Sequence, residues 1–209
     1  MHKNPIQIVL ADDNRFFCEA LKDSLNQNDE FNVIYFSTNL KELIDFCNVT
    51  NFDILILDVN FNGTSSLDFI SEIRKEKNQF KIISLTTLNN DYIQRKAVLN
   101  GIDSFVGKDT DFSKFKDIII NCVKSSKEKS NIPKTKKIKV NNMIFTERKL
   151  EILQSLYNHS DKNEKDLSKI LNISMASLKT HKRELFEITN TANANDLIKF
   201  GIQNGIIIS

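Results

Sequence analysis

The chain has 209 residues, 40% hydrophobic and 27% charged, with a net charge of +2. This length suffices for two domains with separate cores. Its cysteines, Cys18, Cys47 and Cys122, are odd in number and lack metal-binding spacing, which favours packing roles in a reducing compartment over disulfides or a zinc site. No apolar run approaches the roughly 20 residues that span a bilayer, and no signal-peptide pattern is present. We therefore expect a soluble cytoplasmic protein of bacterial character with no membrane partner.

Five short apolar runs alternate with amphipathic helical patterns over the first 125 residues. The runs cover residues 6–10, 31–36, 54–57, 82–85 and 104–106. Short β-branched runs separated by helices are typical of parallel strands with crossover connections. The pattern predicts an α/β fold with a doubly wound, flavodoxin-like (βα)5 sheet.

Polar residues follow four of the five predicted strands. Asp12 and Asp13 follow the first, Asp58 the third, Thr86 the fourth and Lys108 the fifth. Ligand sites in open α/β sheets lie at the carboxyl ends of the strands. We therefore expect these groups to share one crevice, although an Asp-Asp pair can also serve as a turn or helix cap, with Asn14 capping the next helix.

Three carboxylates in one crevice raise one another's pKa unless a cation neutralises them. An all-oxygen set without His or Cys favours Mg²⁺ over zinc. A carboxylate can also attack phosphorus to form an acyl phosphate. Asp58 is the candidate nucleophile because it ends the central strand, and Lys108 and the Thr86 hydroxyl are placed to stabilise phosphoryl oxygens.

Residues 6–125 resemble the receiver domain of two-component response regulators. The acid pair, phosphoacceptor, switch hydroxyl and lysine of that family match Asp12-Asp13, Asp58, Thr86 and Lys108, and Phe105 matches the switch aromatic. The resemblance implies that a sensor histidine kinase or a small acyl phosphate phosphorylates Asp58. It also implies movement of the hydroxyl and aromatic switch residues, and Mg²⁺ held by Asp12, Asp13, Asp58 and the main-chain carbonyl of Asn60.

The loop after Asp58 departs from the family pattern. The family usually has Pro and then Gly, where this chain has Asn62 and Ser66, so we expect a less rigid loop. One alternative is therefore a phosphorylation-independent receiver that serves as a constitutive dimerisation or ligand module. Another is a Mg²⁺-dependent phosphohydrolase, but that class usually has a second Asp where this chain has Asn60.

A basic segment separates the two halves of the chain. Residues 124–139 hold seven lysines and one acid and net +6, whereas residues 1–123 net −5 and residues 140–209 net +1. The segment lacks sustained apolar periodicity, which predicts a linker over 127–142 between domains at 1–126 and 143–209. Its charge adds salt-sensitive attraction to a polyanion.

Four short helical patterns follow, at residues 146–157, 164–171, 174–188 and 195–204, without a strand signal. Ser174 is a good N-cap for the third pattern. The third helix follows the second after a short turn and carries exposed bases, which is typical of a helix-turn-helix unit in an all-α domain.

Residues 145–207 resemble a LuxR-type DNA-binding domain. The matching motifs are Phe145-Thr146-Glu147-Arg148, Asp166-Leu167-Ser168, Asn172-Ile173-Ser174 and Leu178-Lys179-Thr180-His181. By this resemblance, Lys179, Thr180 and Arg183 are candidates for base edges of double-stranded promoter DNA. Ser177, His181 and Lys182 are then expected nearer the DNA backbone.

The fourth helix has a broad apolar surface that includes Leu197, Ile198, Phe200 and Ile202. It either forms a dimer interface, as in the LuxR-type family, or closes the small helical core. The order of the two domains resembles the NarL/FixJ class of response regulators. We therefore expect a transcription regulator, not a dedicated enzyme, whose phosphorylation on Asp58 shifts homodimerisation and promoter binding.

Overall fold

The computed structural model describes residues 4–74, 79–87, 91–125 and 137–207. It divides into two compact units, whose main boundary falls between residues 132 and 133. No helix in these described ranges is long and apolar enough to cross a membrane.

The N-terminal unit is built on a five-stranded parallel sheet with a small hairpin beside it. Its strands are β1 (Ile6–Ala11), β2 (Phe31–Ser37), β3 (Ile54–Leu57), β4 (Asn60–Phe61), β5 (Thr64–Ser65), β6 (Lys81–Thr86) and β7 (Ser104–Gly107). The parallel sheet has the order β2-β1-β3-β6-β7, and β4 pairs with β5 in the antiparallel hairpin. The predicted doubly wound fold is confirmed, with β1 and β3 adjacent at its centre.

Helices connect the parallel strands. They are α1 (Arg15–Asn26), α2 (Leu40–Val49), α3 (Ile70–Ile73), α4 (Asp91–Leu99) and α5 (Phe112–Lys124). The Asn14 side chain accepts a hydrogen bond from the Phe17 N–H and caps α1, as predicted. The cap satisfies one of the donors that the first helical turn leaves unpaired.

Alternate side chains of the strands pack with α1 and α5 in one apolar core. Ile8 and Ile56 from the sheet, Leu25 from α1 and Ile119 from α5 belong to this cluster. The three cysteines are buried free thiols, which confirms their packing role. Burial raises the pKa of Cys18 and Cys47 to about 12 and that of Cys122 to about 11, so all three are thiols at neutral pH.

The C-terminal unit combines a hairpin with four helices. These are β8 (Ile138–Val140), β9 (Met143–Phe145), α6 (Glu147–Asn158), α7 (Glu164–Ile170), α8 (Met175–Thr189) and α9 (Ala194–Gln203). The four predicted helices are confirmed, and Ser174 caps α8 through a hydrogen bond from the Ser177 N–H.

The antiparallel hairpin β8–β9 was not predicted. Ile138, Val140 and Phe145 are buried in the core of the C-terminal unit, which gives these short strands their stability. The predicted linker at 127–142 therefore extends too far, because its last residues form the first strand of this hairpin. Residues 126–136 lie outside the described residues.

The apolar face of α9 is largely used within its own unit. Leu197 is fully buried, Ile198 and Phe200 are partly buried against the core, and Ile202 is exposed. This distribution favours the core role for most of the helix and leaves Ile202 for an external contact.

Candidate functional site

The acidic residues lie at the carboxyl ends of the two central strands. Ala11 pairs with Leu57 across β1 and β3, so Asp12 and Asp58 follow at the same edge of the sheet. Asp12 and Asp58 are buried and Asp13 is partly exposed. One carboxylate oxygen from each of these three residues lies within 4.8 Å of the other two. The predicted acidic crevice is present.

Lys108 enters the same crevice from the end of β7. Its Nζ lies 2.5 Å from Asp12 Oδ2 and 2.9 Å from Asp58 Oδ2. The ammonium also lies 4.7 Å from the centroid of the Phe17 ring, within the range of a cation–π contact. Sequence reasoning missed Phe17, because no local pattern connects a residue of α1 with one beyond β7.

Thr86 completes the set from the end of β6. Its side chain is fully buried, and its hydroxyl donates a hydrogen bond to the Asp58 carboxylate. The main-chain N–H of Lys108 donates to the Thr86 carbonyl at 3.0 Å, which holds the ends of β6 and β7 together. Side chains from the ends of three other strands, β1, β6 and β7, therefore converge on Asp58.

The electrostatics of the crevice follow from burial and pairing. Burial raises the pKa of Asp58, and hydrogen bonds from Lys108 and Thr86 oppose this rise. Burial alone would lower the pKa of Lys108, but its hydrogen bonds to Asp12 and Asp58 raise it above the ordinary value. Lys108 is therefore a permanent cation at neutral pH.

The donor set suits a hard divalent cation. It offers three carboxylates within reach of one ion, and the groups named at the site supply only oxygen ligands. The crevice also carries more acidic charge than Lys108 alone neutralises. These are the properties expected of a magnesium site.

The loop after Asp58 forms the hairpin β4–β5 instead of an irregular turn. Asn62 and Gly63 both have positive φ, 51° and 76°, as a two-residue hairpin turn requires. The less rigid loop was expected because this loop lacks proline. In the structure, the hairpin turn at Asn62-Gly63 restrains the loop instead. The Asn62-Gly63 dipeptide was a readable sequence signal for it.

The hairpin brings the main chain of Asn60 toward Asp58. In an antiparallel ladder, hydrogen-bonded residue pairs alternate with pairs that are not hydrogen-bonded. The Ser66 N–H donates to the Val59 carbonyl at 2.9 Å, so Val59 and Ser66 are a hydrogen-bonded pair. Asn60 and Ser65 are therefore the non-bonded pair, so the polar main-chain groups of Asn60 face away from Ser65. The Asn60 N–H lies 3.4 Å from Asp58 Oδ1, at the acidic side of the loop.

Comparison with known proteins agrees with this geometry. The family model described as the response regulator receiver domain matches residues 8–120. The chain belongs to the response regulator family. As a response regulator it is not a catalytic enzyme, which removes the phosphohydrolase alternative.

Relatives match this chain over nearly its full length. The transcriptional regulatory protein YxjL of Bacillus subtilis (strain 168) is 24% identical over 219 residues, covering 99% of this chain and 100% of YxjL. The nitrate/nitrite response regulator protein NarP of Escherichia coli (strain K12) is 23% identical over 198 residues, covering 89% of each chain. The predicted receiver and LuxR-type architecture is confirmed.

Solved structures of RcsB share the fold. RcsB from Salmonella enterica serovar Typhimurium, bound to promoter rprA in the presence of the phosphomimetic BeF3⁻, has a TM-score of 0.61 at 18% identity. A structure of two RcsB dimers bound to two parallel DNAs has a TM-score of 0.59 at 19% identity. In each case the match covers 94% of this response regulator and 98% of the RcsB chain.

The candidate DNA-binding residues of the response regulator lie on α8. Ser177, Lys179, Thr180 and Arg183 are exposed. These residues lie in the first nine of the fifteen residues of α8, and the Thr180 hydroxyl donates to the Ala176 carbonyl of its own helix. The predicted base-reading residues are therefore accessible on one helix.

The other two candidates on α8 are less accessible. Lys182 Nζ lies 2.6 Å from Glu164 Oε1, and its side chain is only 17% exposed. This ion pair lowers the pKa of Glu164 and joins α8 to the start of α7. His181 is partly buried, with Nδ1 3.7 Å from Glu184 Oε2. Lys182 therefore has a structural role within the helix-turn-helix unit.

Proposed function

We propose that this response regulator is a phosphorylation-dependent, DNA-binding transcription regulator that accepts a phosphoryl group on Asp58. The donor is a sensor histidine kinase or a small acyl phosphate. The observation that carries the proposal is the convergence of acidic, hydroxyl and ammonium groups from three neighbouring strand ends on the buried carboxylate of Asp58.

Transfer begins when a carboxylate oxygen of Asp58 attacks the phosphorus of the donor. The bond from phosphorus to the donor nitrogen or oxygen breaks, and the donor keeps the bonding electrons. Lys108 and Thr86 already contact the Asp58 carboxylate, so they are placed to stabilise charge on the transferred oxygens.

The ligands for Mg²⁺ are Asp12, Asp13, Asp58 and the main-chain carbonyl of Asn60. The proximity of the three carboxylates and the orientation of the Asn60 main chain support this set. When bound, the ion neutralises the carboxylates and orients the phosphoryl oxygens.

In the unphosphorylated structure, the Thr86 hydroxyl is hydrogen-bonded to the Asp58 carboxylate. Phosphorylation of Asp58 changes this hydrogen bond. A phosphoryl group brings dianionic charge and strong acceptor oxygens that attract this hydroxyl. Phe105, opposite Ser84 in the β6–β7 register and partly buried, is the aromatic residue that responds with Thr86.

The output is binding of double-stranded promoter DNA by a homodimer. The RcsB relative binds promoter DNA, and RcsB dimers bind DNA in a second structure. In this chain, Lys179, Thr180 and Arg183 are accessible for base edges and Ser177 for the DNA backbone. His181 and Lys182 lie beside this surface, and Lys182 is paired with Glu164.

The domain division that fits this function keeps the receiver at 1–126. The DNA-binding domain, predicted to begin at 143, starts no later than the β8 strand at Ile138. The linker is then the shorter segment between them.

The first test is phosphorylation of the full-length protein by acetyl phosphate and Mg²⁺, followed by intact mass measurement. The wild type should gain one phosphoryl group and Asp58→Ala none. DNA binding and dimerisation should increase when BeF3⁻ and Mg²⁺ are added to the wild type. A wild type that neither gains mass nor responds to BeF3⁻ would favour the phosphorylation-independent regulator instead.

The second test compares two lysine variants on DNA duplexes selected from a random-sequence pool. Lys179→Ala should weaken specific binding by about 1–3 kcal/mol, the range for one base-reading side chain. Lys41→Ala removes the same charge from the exposed surface of α2 and should leave specific binding nearly unchanged. Equal effects of the two variants would count against α8 as the reading helix.

A further inference from the structure

The hairpin β4–β5 contacts two of the acidic residues at the site. At its turn, the Asn62 N–H donates a hydrogen bond to Asp13 Oδ2 at 2.9 Å. Directly after β5, the Ser66 hydroxyl donates a hydrogen bond to the main-chain carbonyl of Asp58. The loop therefore connects Asp13 and Asp58 through its own hydrogen bonds.

Ser66 is buried at the base of this hairpin and bonded in two directions. Its exposure is 0%, its N–H bonds the Val59 carbonyl, and its hydroxyl bonds the Asp58 carbonyl. At the turn, the Gly63 N–H donates to Asn60 Oδ1 at 3.0 Å. These bonds restrain the segment from Asp58 to Ser66, which follows the phosphoacceptor.

Ser65 provides a natural comparison. It is also buried, but its hydroxyl has no hydrogen-bond partner among the described residues. Ser65 is the last residue of β5 and Ser66 lies just beyond it, so the two adjacent serines differ in their hydrogen bonding. Of these two serines, Ser66 is the one whose hydroxyl is bonded to the phosphoacceptor.

We propose that Ser66 is a positioning residue for the metal site, holding the Asp58 main chain while the hairpin turn holds Asp13. The inference depends on the cation site of the proposed function. Lys108 pairs with Asp12 and Asp58, but the three carboxylates carry more charge than one ammonium neutralises, so their repulsion favours separation before a cation binds. A loop that holds them close reduces the ordering required on binding, which strengthens cation affinity.

The test is calorimetric titration of the full-length protein with Mg²⁺ at a temperature where every variant is folded. Ser66→Ala should raise the Kd for Mg²⁺ by about fivefold, the effect of losing one hydrogen bond of about 1 kcal/mol. Ser65→Ala is the matched control and should leave the Kd unchanged. Ser66→Gly also removes the hydroxyl and introduces the residue that is usual in the family. It should raise the Kd for Mg²⁺ by the same factor, which gives a second measurement if Ser66→Ala folds poorly.

The dependence of acetyl phosphate labelling on Mg²⁺ provides a second measurement. Ser66→Ala should need about fivefold more Mg²⁺ for half-maximal labelling and reach a wild-type rate at saturation. A purely structural role would lower thermal stability without this shift. Equal Kd values for the Ser66 and Ser65 variants would overturn the proposal. If the wild type binds Mg²⁺ but is never labelled, the proposed function fails, and the titrations still decide the role of Ser66.

Discussion

Replacing Lys108 by Met removes the ammonium between Asp12 and Asp58 while keeping a long, unbranched side chain. The Lys108 side chain is only 17% exposed, and its Nζ lies within 2.9 Å of an oxygen of each acid. After the change, three carboxylates share the crevice without this cation. We expect the N-terminal unit of Lys108→Met to be strongly destabilised when Mg²⁺ is absent.

The size of the effect follows from distance and burial. At an effective dielectric constant of about 20, each of the two ion pairs has a gross Coulomb energy of about 6 kcal/mol. Desolvation of the three groups offsets most of this energy. Removing one partner of a buried pair typically costs about 3–5 kcal/mol, and protonation of Asp58 limits the loss. We therefore expect a decrease of about 3 kcal/mol in the free energy of unfolding.

The loss should depend on pH with a definite sign. Burial raises the pKa of Asp58 above its ordinary value of 3.8, and Lys108 opposes that rise. Without Lys108 the folded-state pKa rises further. Stability from a group with a raised pKa is fully present below the unfolded value and declines as pH rises through the folded value. The variant should therefore recover stability as the pH falls from 7 toward 4.

Hydrogen exchange at the amides of β1 and β3 in the full-length protein measures this stability, in EDTA and in Mg²⁺. Mg²⁺ binds only the folded site and should restore more stability in Lys108→Met than in the wild type. Lys96→Met is the control, because Asp68, its ion-pair partner at 3.1 Å, is 60% exposed, so the loss of this pair should cost less than about 1 kcal/mol. A Lys108→Met loss no larger than the control, or one insensitive to both Mg²⁺ and pH, would refute the reasoning.

Two further changes test the loop and the C-terminal core. Asn62→Pro should disrupt the hairpin and weaken Mg²⁺ binding in calorimetric titration. Proline excludes a φ of 51° and lacks the N–H that bonds Asp13. Asn62→Gly allows this φ, keeps the N–H and should bind Mg²⁺ as the wild type does. Gly201→Ala should lower the free energy of unfolding of the C-terminal unit by about 1 kcal/mol. A Cβ at this position would lie 2.6 Å from Ile207 Cδ1, and this overpacking outweighs the gain in helix propensity. An unchanged melting temperature would show that Ile207 moves freely.

The positions of the residues in the acidic crevice could be predicted because they depend on strand order and strand ends. Apolar runs identified the strands, and parallel connections bring their carboxyl ends to one edge of the sheet. Caps such as Asn14 and Ser174 were also readable, since a cap involves residues only three apart. Family motifs then assigned roles to Asp58 and Lys108.

The β4–β5 hairpin was only partly predictable from the sequence. The Asn62-Gly63 dipeptide indicates a two-residue turn. Its flanking strands have only two residues each, so no alternating pattern supported the signal. Comparison with the proline-containing loop of the family instead led to the prediction of a less rigid loop. The hydrogen bonds from this hairpin to Asp13 and Asp58 became visible only in three dimensions.

The sequence by itself determined the two-domain architecture, the parallel sheet, the helix-turn-helix unit and the acidic crevice. Each depends on periodicity, local caps or strand order, which are written along the chain. Only the tertiary structure decided that Phe17 covers Lys108, that Ser66 bonds Asp58 and that Lys182 pairs with Glu164. These contacts join residues far apart or on different elements, and their geometry depends on how the elements pack.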